Sequence, residues 1–133
     1  VNVRRLFRND LETYIQRSKI ISSAKIYRSN IAIALCREKC PNVQLVVAQA
    51  ADELLNIRGI EAAFVLAADG NRIIISGRSL GTINVQVILE KLGGGGHITI
   101  AGAQLHNHNL DFAEMELCAA INEVVFEESG HQS

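Results

Sequence analysis

Between Ser76 and His97 the chain carries residue types that can hold a phosphate. They are Ser76-Gly77-Arg78-Ser79-Leu80-Gly81, then Asn84, then Gly93-Gly94-Gly95-Gly96-His97. Arg78 offers a planar fork of N–H donors that can grip two phosphate oxygens at once. Ser79 adds a hydroxyl donor. A strand ending at Ser76 and a helix starting near Asn84 would set these groups at the carboxyl end of a strand, where ligands gather in open α/β sheets. The helix start would add unpaired N–H groups and a positive dipole end. The plain alternative is that Arg78 pairs with a surface carboxylate and Ser79 helps to cap the turn.

Four consecutive glycines are costly to order, because each loses more backbone freedom on folding than any other residue. One of them, Gly93, suffices as a helix C-cap. Gly94, Gly95 and Gly96 then point to a backbone that a ligand or another chain approaches closely. The apolar Leu92, Ile98 and Ile100 frame the run, and it lacks the serines of a solvated linker. His97 emerges at its end, where an imidazole can donate to a phosphate or a base. No Gly-Lys-Ser/Thr follows, which excludes a Walker loop, and no Gly-x-Gly-x-x-Gly register fits a dinucleotide fingerprint.

Metal-assisted hydrolysis of a phosphodiester needs several Asp and His side chains on one or two cations. Asp10, Asp52, Asp69 and Asp111 are scattered, and His106 and His108 read as part of a polar exposed turn. Asp52 is expected to face solvent or fix a local hydrogen bond. No metal site is expected in this chain. Cys36, Cys40 and Cys118 are an odd number without framework or zinc spacing, so they read as reduced thiols partly packed in the core.

The elements that must position these residues follow from pattern. Asn9 or Asp10 can cap a helix over about 9–22, and two short strands, 24–27 and 31–35, flank a turn at Ser29-Asn30. Pro41-Asn42 starts a second helix to about Leu55. Apolar runs at 62–68 and 72–76 around Asp69-Gly70-Asn71 predict a hairpin. Asn84 caps a short helix with Val85, Ile88, Leu89 and Leu92 inward, and 101–105 is a last strand. Asp111 with Glu114 predicts a capping box for a helix over about 111–128. The fold class is therefore α/β, one domain over 1–133, with a small mixed sheet of about five strands covered by helices.

The 133 residues are 48% hydrophobic and 20% charged, as in an ordinary globular domain with one core. Thirteen basic against fourteen acidic side chains give a net charge of −1, which argues against a sequence-blind grip on long nucleic acid. No apolar stretch predicts a membrane span, so no direct membrane contact is expected. A first residue of valine rather than methionine suggests a segment of a longer protein.

Arg78-Ser79-x-Gly81, Asn84-Val85, Gly93–Gly96-His97 and Ala101-Gly102-Ala103 together resemble the C-terminal, DHH-associated domain of the DHH phosphoesterases. The wording around them, Arg78–Leu105 with Ala48–Leu55, is similar to the cyclic-di-AMP phosphodiesterases of Gram-positive bacteria. The resemblance implies a substrate-binding domain that follows a DHH domain of the same chain. That preceding domain would hold the metals, usually manganese, and the parent would open cyclic di-AMP to the linear dinucleotide. It further implies that Arg78 and Ser79 contact phosphate or nucleotide, that Gly81 and Asn84 flank the site, and that Gly93, Gly94, Gly95 and Gly96 form its backbone wall. His97 would reach the scissile phosphate or the base, as the catalytic residue of this chain. A cytoplasmic location follows, with any membrane anchor upstream, and a second copy of the chain is a further candidate partner. Short linear oligonucleotides, adenosine bisphosphate, an RNA-binding role and a protein-interaction role remain the alternatives.

Overall fold

In the central strands apolar residues run without interruption, which is the signature of a sheet buried on both faces. A computed structural model describes the backbone of residues 2–106 and 109–132 and the side chains of 10–106 and 109–125. Its elements are α1 (Asn2–Ser22), β1 (Lys25–Tyr27), β2 (Ile31–Cys36), α2 (Val43–Leu55), β3 (Ala62–Asp69), β4 (Arg72–Ser79), α3 (Val85–Glu90), β5 (Gly95–Gly96), β6 (Ile100–His106) and α4 (Leu110–Gln132). The strands form one mixed sheet in the order β1-β2-β3-β4-β6-β5. Only β2 and β3 run parallel, and α2 makes their crossover.

Strand alternation divides the core into two layers. Ile31, Ile33, Phe64, Leu66, Ile73 and Ile75 point to one face, where they meet Val85, Ile88 and Leu89 of α3 and Leu117 and Ile121 of α4. Ala32, Ala34, Ala63, Val65 and Ala67 point to the other, under Val46, Val47, Ala50 and Leu54 of α2 and Ile20 of α1. The short alanine side chains let α2 lie close on the sheet. At the register position Phe64↔Gly77 a Cβ on Gly77 would lie 3.0 Å from the Phe64 ring, so the glycine makes room for the largest fully buried side chain.

The sixth strand, beyond the five expected, is the two-residue β5 inside the glycine run. The first helix begins upstream of its expected start, so Asn9 and Asp10 lie within α1 and do not cap it. Leu11, Tyr14 and Ile15 of that helix are exposed. At α4 the cap is Asn109, whose Oδ1 accepts from the Phe112 N–H at 2.7 Å, and not Asp111. Asparagine is as good a cap as aspartate, and from position 109 its oxygen reaches the free N–H three residues on. Asp111 lies in the first turn and pairs instead with Arg37 at 2.7 Å. The hairpin turn at Gly70-Asn71 (Gly70 φ 65°) and the Asn42 start of α2 stand as expected. His106 ends β6, exposed, whereas Asn107 and His108 lie outside the described residues.

Replacing Phe64 with alanine empties the centre of the α3/α4 layer. Urea unfolding of Phe64→Ala is expected to show a loss of about 3–5 kcal/mol.

Candidate functional site

The two faces of the sheet are not covered equally. Over α3 and α4 the apolar layer reaches as far as Ala101 and Ala103 of β6. On the opposite face α2 extends only to Ile74 of β4. Beyond it Ile100, Gln104 and His106 of β6 lie exposed, beside the partly buried Ser76 and Arg78 of β4 and Gly102 of β6. Over this strip lies an open groove of about 650 Å³, floored by Gly93, Gly94 and Gly102.

Each glycine of the run has its own circumstance. Gly93, at φ 85°, ends α3 in a Schellman motif: its N–H donates to the Glu90 carbonyl at 3.1 Å, and that of Gly94 to the Leu89 carbonyl at 2.8 Å. A Cβ on Gly94 would collide with the Gly102 carbonyl oxygen and lie 2.6 Å from the Ala103 Cβ. A Cβ on Gly96, at φ 147°, would strike the Ile100 carbonyl oxygen and lie 2.6 Å from the Ala101 Cα. Gly95 differs from both. Its φ is not positive, and a Cβ there meets nothing within 4 Å. The fold accounts for three of the glycines and leaves Gly95 without an internal reason.

The turn after the run is tied down by backbone. The His97 N–H donates to the Ile100 carbonyl at 2.6 Å, the Val85 N–H to the Ile98 carbonyl at 3.0 Å, and the Ser79 N–H to the Thr99 carbonyl at 3.0 Å. Ser79 is 4% exposed, and its hydroxyl donates to the Ile98 carbonyl at 3.2 Å while accepting from the Gly81 N–H at 3.2 Å. It is turned into the loop and away from solvent. Asn84 caps α3 by accepting from the Val87 N–H at 3.1 Å. With the Val85 and Val87 N–H groups both engaged, the start of this six-residue helix is not the open anion site that its position suggested. The His97 side chain is exposed and forms no hydrogen bond with the described residues.

Arg78 does pair with a carboxylate. Its Nε donates to Asp52 Oδ1 at 2.9 Å and its Nη1 to the Gly77 carbonyl at 3.0 Å. The arginine side chain is 15% exposed and the aspartate 60%. These two bonds hold the guanidinium in place but do not exhaust it, since Nη2 forms no hydrogen bond with the described residues. The sequence allowed Arg78 a surface carboxylate and Asp52 an exposed place or a fixing hydrogen bond, but it did not join the two. The contact spans 26 positions and joins an exposed helical acid to a strand residue, so no local pattern announces it. Leu80, Ile98 and Ile100, all exposed, form an apolar border around this end of the strip.

No group of three or more His, Cys, Asp or Glu that could hold a metal occurs among the described residues, so the donor set for a hydrolytic metal does not fit here. Burial pushes the thiols of Cys36, Cys40 and Cys118 upward, which keeps them protonated and unreactive near neutral pH.

Comparison with known proteins gives the family of the chain and its fold relatives. The family model of the DHHA1 domain matches residues 29–126. The cyclic-di-AMP phosphodiesterase PdeA of Listeria monocytogenes is 43% identical over 121 residues, 90% of this chain and 18% of that protein. The cyclic-di-AMP phosphodiesterase GdpP of Geobacillus thermodenitrificans is 44% identical over 124 residues, 92% of this chain and 19% of that protein. The chain therefore spans about a fifth of the length of these relatives. Among solved structures, an exopolyphosphatase-related protein from Bacteroides fragilis superposes with a TM-score of 0.73 at 19% identity, over 84% of this chain and 34% of that one. RecJ from Thermus thermophilus in complex with Mn2+ superposes with a TM-score of 0.60 at 19% identity, over 92% and 18%. At these identities the structural likeness is one of fold.

The glycine contacts separate stability from function. Gly95→Ala is expected to leave thermal stability unchanged or raise it by up to about 1 kcal/mol, because it restricts the unfolded chain at no steric cost. Gly96→Ala is expected to lose roughly 2 kcal/mol or more, from a disfavoured φ and a backbone collision. Calorimetric melting of both variants checks the contrast.

Proposed function

Because the chain belongs to the DHHA1 domain family, we propose that it is the nucleotide-recognising domain of a metal-dependent cyclic-dinucleotide phosphodiesterase that opens cyclic di-AMP to the linear dinucleotide. The observation that carries this reading is the bare, glycine-floored strip beside Arg78, in a chain 43–44% identical to two cyclic-di-AMP phosphodiesterases. A surface that the fold builds and leaves partly open, with one glycine that no contact among the described residues requires, suits a ligand pressed against backbone.

In this reading Arg78 meets a phosphate through Nη2, oriented by Asp52. Gly93, Gly94, Gly95 and Gly96 supply a wall without side chains. Ser79, Gly81 and Asn84 shape the loop from within. His97 is the catalytic residue of this chain, its exposed imidazole free to reach the scissile phosphate or the base. The metal, manganese in this proposal, belongs to a preceding DHH domain of the same protein, where it would activate water and neutralise developing charge. That domain closes over the strip against the apolar border of Leu80, Ile98 and Ile100. No helix among the described residues is long and apolar enough to cross a membrane. A cytoplasmic location is part of the same proposal, and the free cysteines are compatible with a reducing compartment.

Titrating the chain with cyclic di-AMP and with the linear adenine dinucleotide, followed by amide NMR shifts, tests the assignment. Shifts confined to Arg78–Asn84 and Gly93–His97 are expected. Arg78→Ala is expected to weaken binding by tenfold or more, since a charge-assisted hydrogen bond contributes about 1.5–3 kcal/mol. Gly95→Val is expected to abolish binding while the protein stays folded. Silence at these residues with both ligands, together with unchanged behaviour of both variants, would remove the site. Faster hydrolysis of linear than of cyclic substrate by the parent protein would move the substrate class to short linear oligonucleotides.

A further inference from the structure

The outward side of α1 is apolar, and nothing above assigns it a role. Towards the sheet α1 presents Ile20, buried in the layer under α2, and Arg17, which bonds Gln49 and Glu53 of α2 at 3.0 and 2.6 Å. Leu11, Tyr14 and Ile15 follow helical spacing, which gathers them in one stripe about 180° around the helix from that packed side. They are 50%, 58% and 43% exposed. Ser18, one turn further on and also exposed, continues the stripe with a small side chain. Tyr14 is held in place, since the Arg17 guanidinium lies 5.3 Å from its ring centroid and is itself tied to α2. Three large apolar side chains on one stripe form a patch for another element, unlike singly scattered ones.

The charges beside the stripe say which element covers it. Acidic residues, Asp10 and Glu12, precede its centre, and basic residues, Arg17 and Lys19, follow it. Glu12 and Lys19 are seven positions apart, and so are Asp10 and Arg17, which puts one such pair on each flank. Glu12 is exposed and forms no hydrogen bond or ion pair with the described residues. Lys19 reaches only Glu38, at 3.5 Å, with both side chains exposed, so it is available to a new partner. A segment with this order of charges complements itself when reversed. Two such helices laid antiparallel set Glu12 of each against Lys19 of the other, whereas parallel pairing sets like charge on like. The same reversal places Leu11 over Ser18, large against small, and Tyr14 against Ile15.

We propose that α1 pairs antiparallel with α1 of a second copy of this chain, about a two-fold axis between residues 14 and 15. Leu11, Tyr14 and Ile15 form the apolar seam, and Glu12 with Lys19 fixes its direction. A two-fold contact of this kind uses the same patch on both copies and closes on itself, so it stops at a dimer. None of these residues lines the groove beside Arg78, and the inference does not rest on the nucleotide-binding reading. One helix stripe per copy buries less than the roughly 1,200 Å² of a stable complex, so the dimer is weak, with a Kd of about 10⁻⁴ M.

Sedimentation velocity of the chain, from about 10 μM to 1 mM, brackets that Kd and tests the proposal. The apparent mass is expected to rise towards twice that of the chain. The substituted residues are exposed, so the variants keep the fold, which far-UV circular dichroism reports. Ile15→Glu is expected to weaken the dimer at least tenfold. Glu12→Lys turns two attractive flanking pairs into repulsive ones and is expected to weaken it about fivefold. The double variant Glu12→Lys/Lys19→Glu is expected to restore pairing. A chain that stays monomeric to the highest concentration overturns the proposal and leaves the stripe to another part of the parent protein. A dimer that ignores Ile15→Glu, or one that the double variant does not restore, also overturns it.

Discussion

Residues 94–96 lie directly on the backbone of β6, and the geometry of the site depends on that approach. Gly94 meets Gly102 and Ala103, and Gly96 meets Ile100 and Ala101, at separations that leave no space for a Cβ. This contact makes β5 part of the sheet and brings the C-terminal end of α3 to its edge. It also leaves the 97–100 turn short enough to bond back to β4 and α3. A single methyl group at either position would push the loop away from β6, and with it the floor of the groove.

Around that contact the domain is covered on one face and partly open on the other. Phe64 and Leu66 with the α3/α4 layer form the core of the face away from the site. The alanine-rich face holds α2 close, and α2 reaches β4 at Ile74 without covering β6. The same helix places Asp52 on Arg78 at one end of the open strip and Gln44 at the other. One element thus ends the core and furnishes both margins of the groove. The Arg78–Asp52 pair is exposed on its acidic side, so its contribution to stability is small, and its effect is to restrict the guanidinium to one direction.

The chain by itself determined most of the fold. Uninterrupted apolar runs marked β2 and β3, Gly70-Asn71 marked the hairpin, and Asn84 with Gly93 marked the ends of α3, because these signals are local and carry their own backbone preferences. Ends set by competition between neighbours were less legible. Asn109 took the cap expected of Asp111, and α1 ran past Asn9 because no local signal there stops a helix that can continue. The Gly93–His97 run announced close approach, yet its residue types could not say which glycine meets backbone and which meets open space. That distinction depends on β6, which only the folded sheet brings alongside. His106, expected in a turn, instead ends β6 on the same face as Gly102 and Gln104, and whether a helix covers that face is decided by the length and position of α2. The pairing of Arg78 with Asp52, the inward turn of Ser79 and the hydrogen bond from Arg72 to Gln104 are likewise contacts between distant segments. Their energies exist only after the chain has closed, so tertiary structure alone decides them.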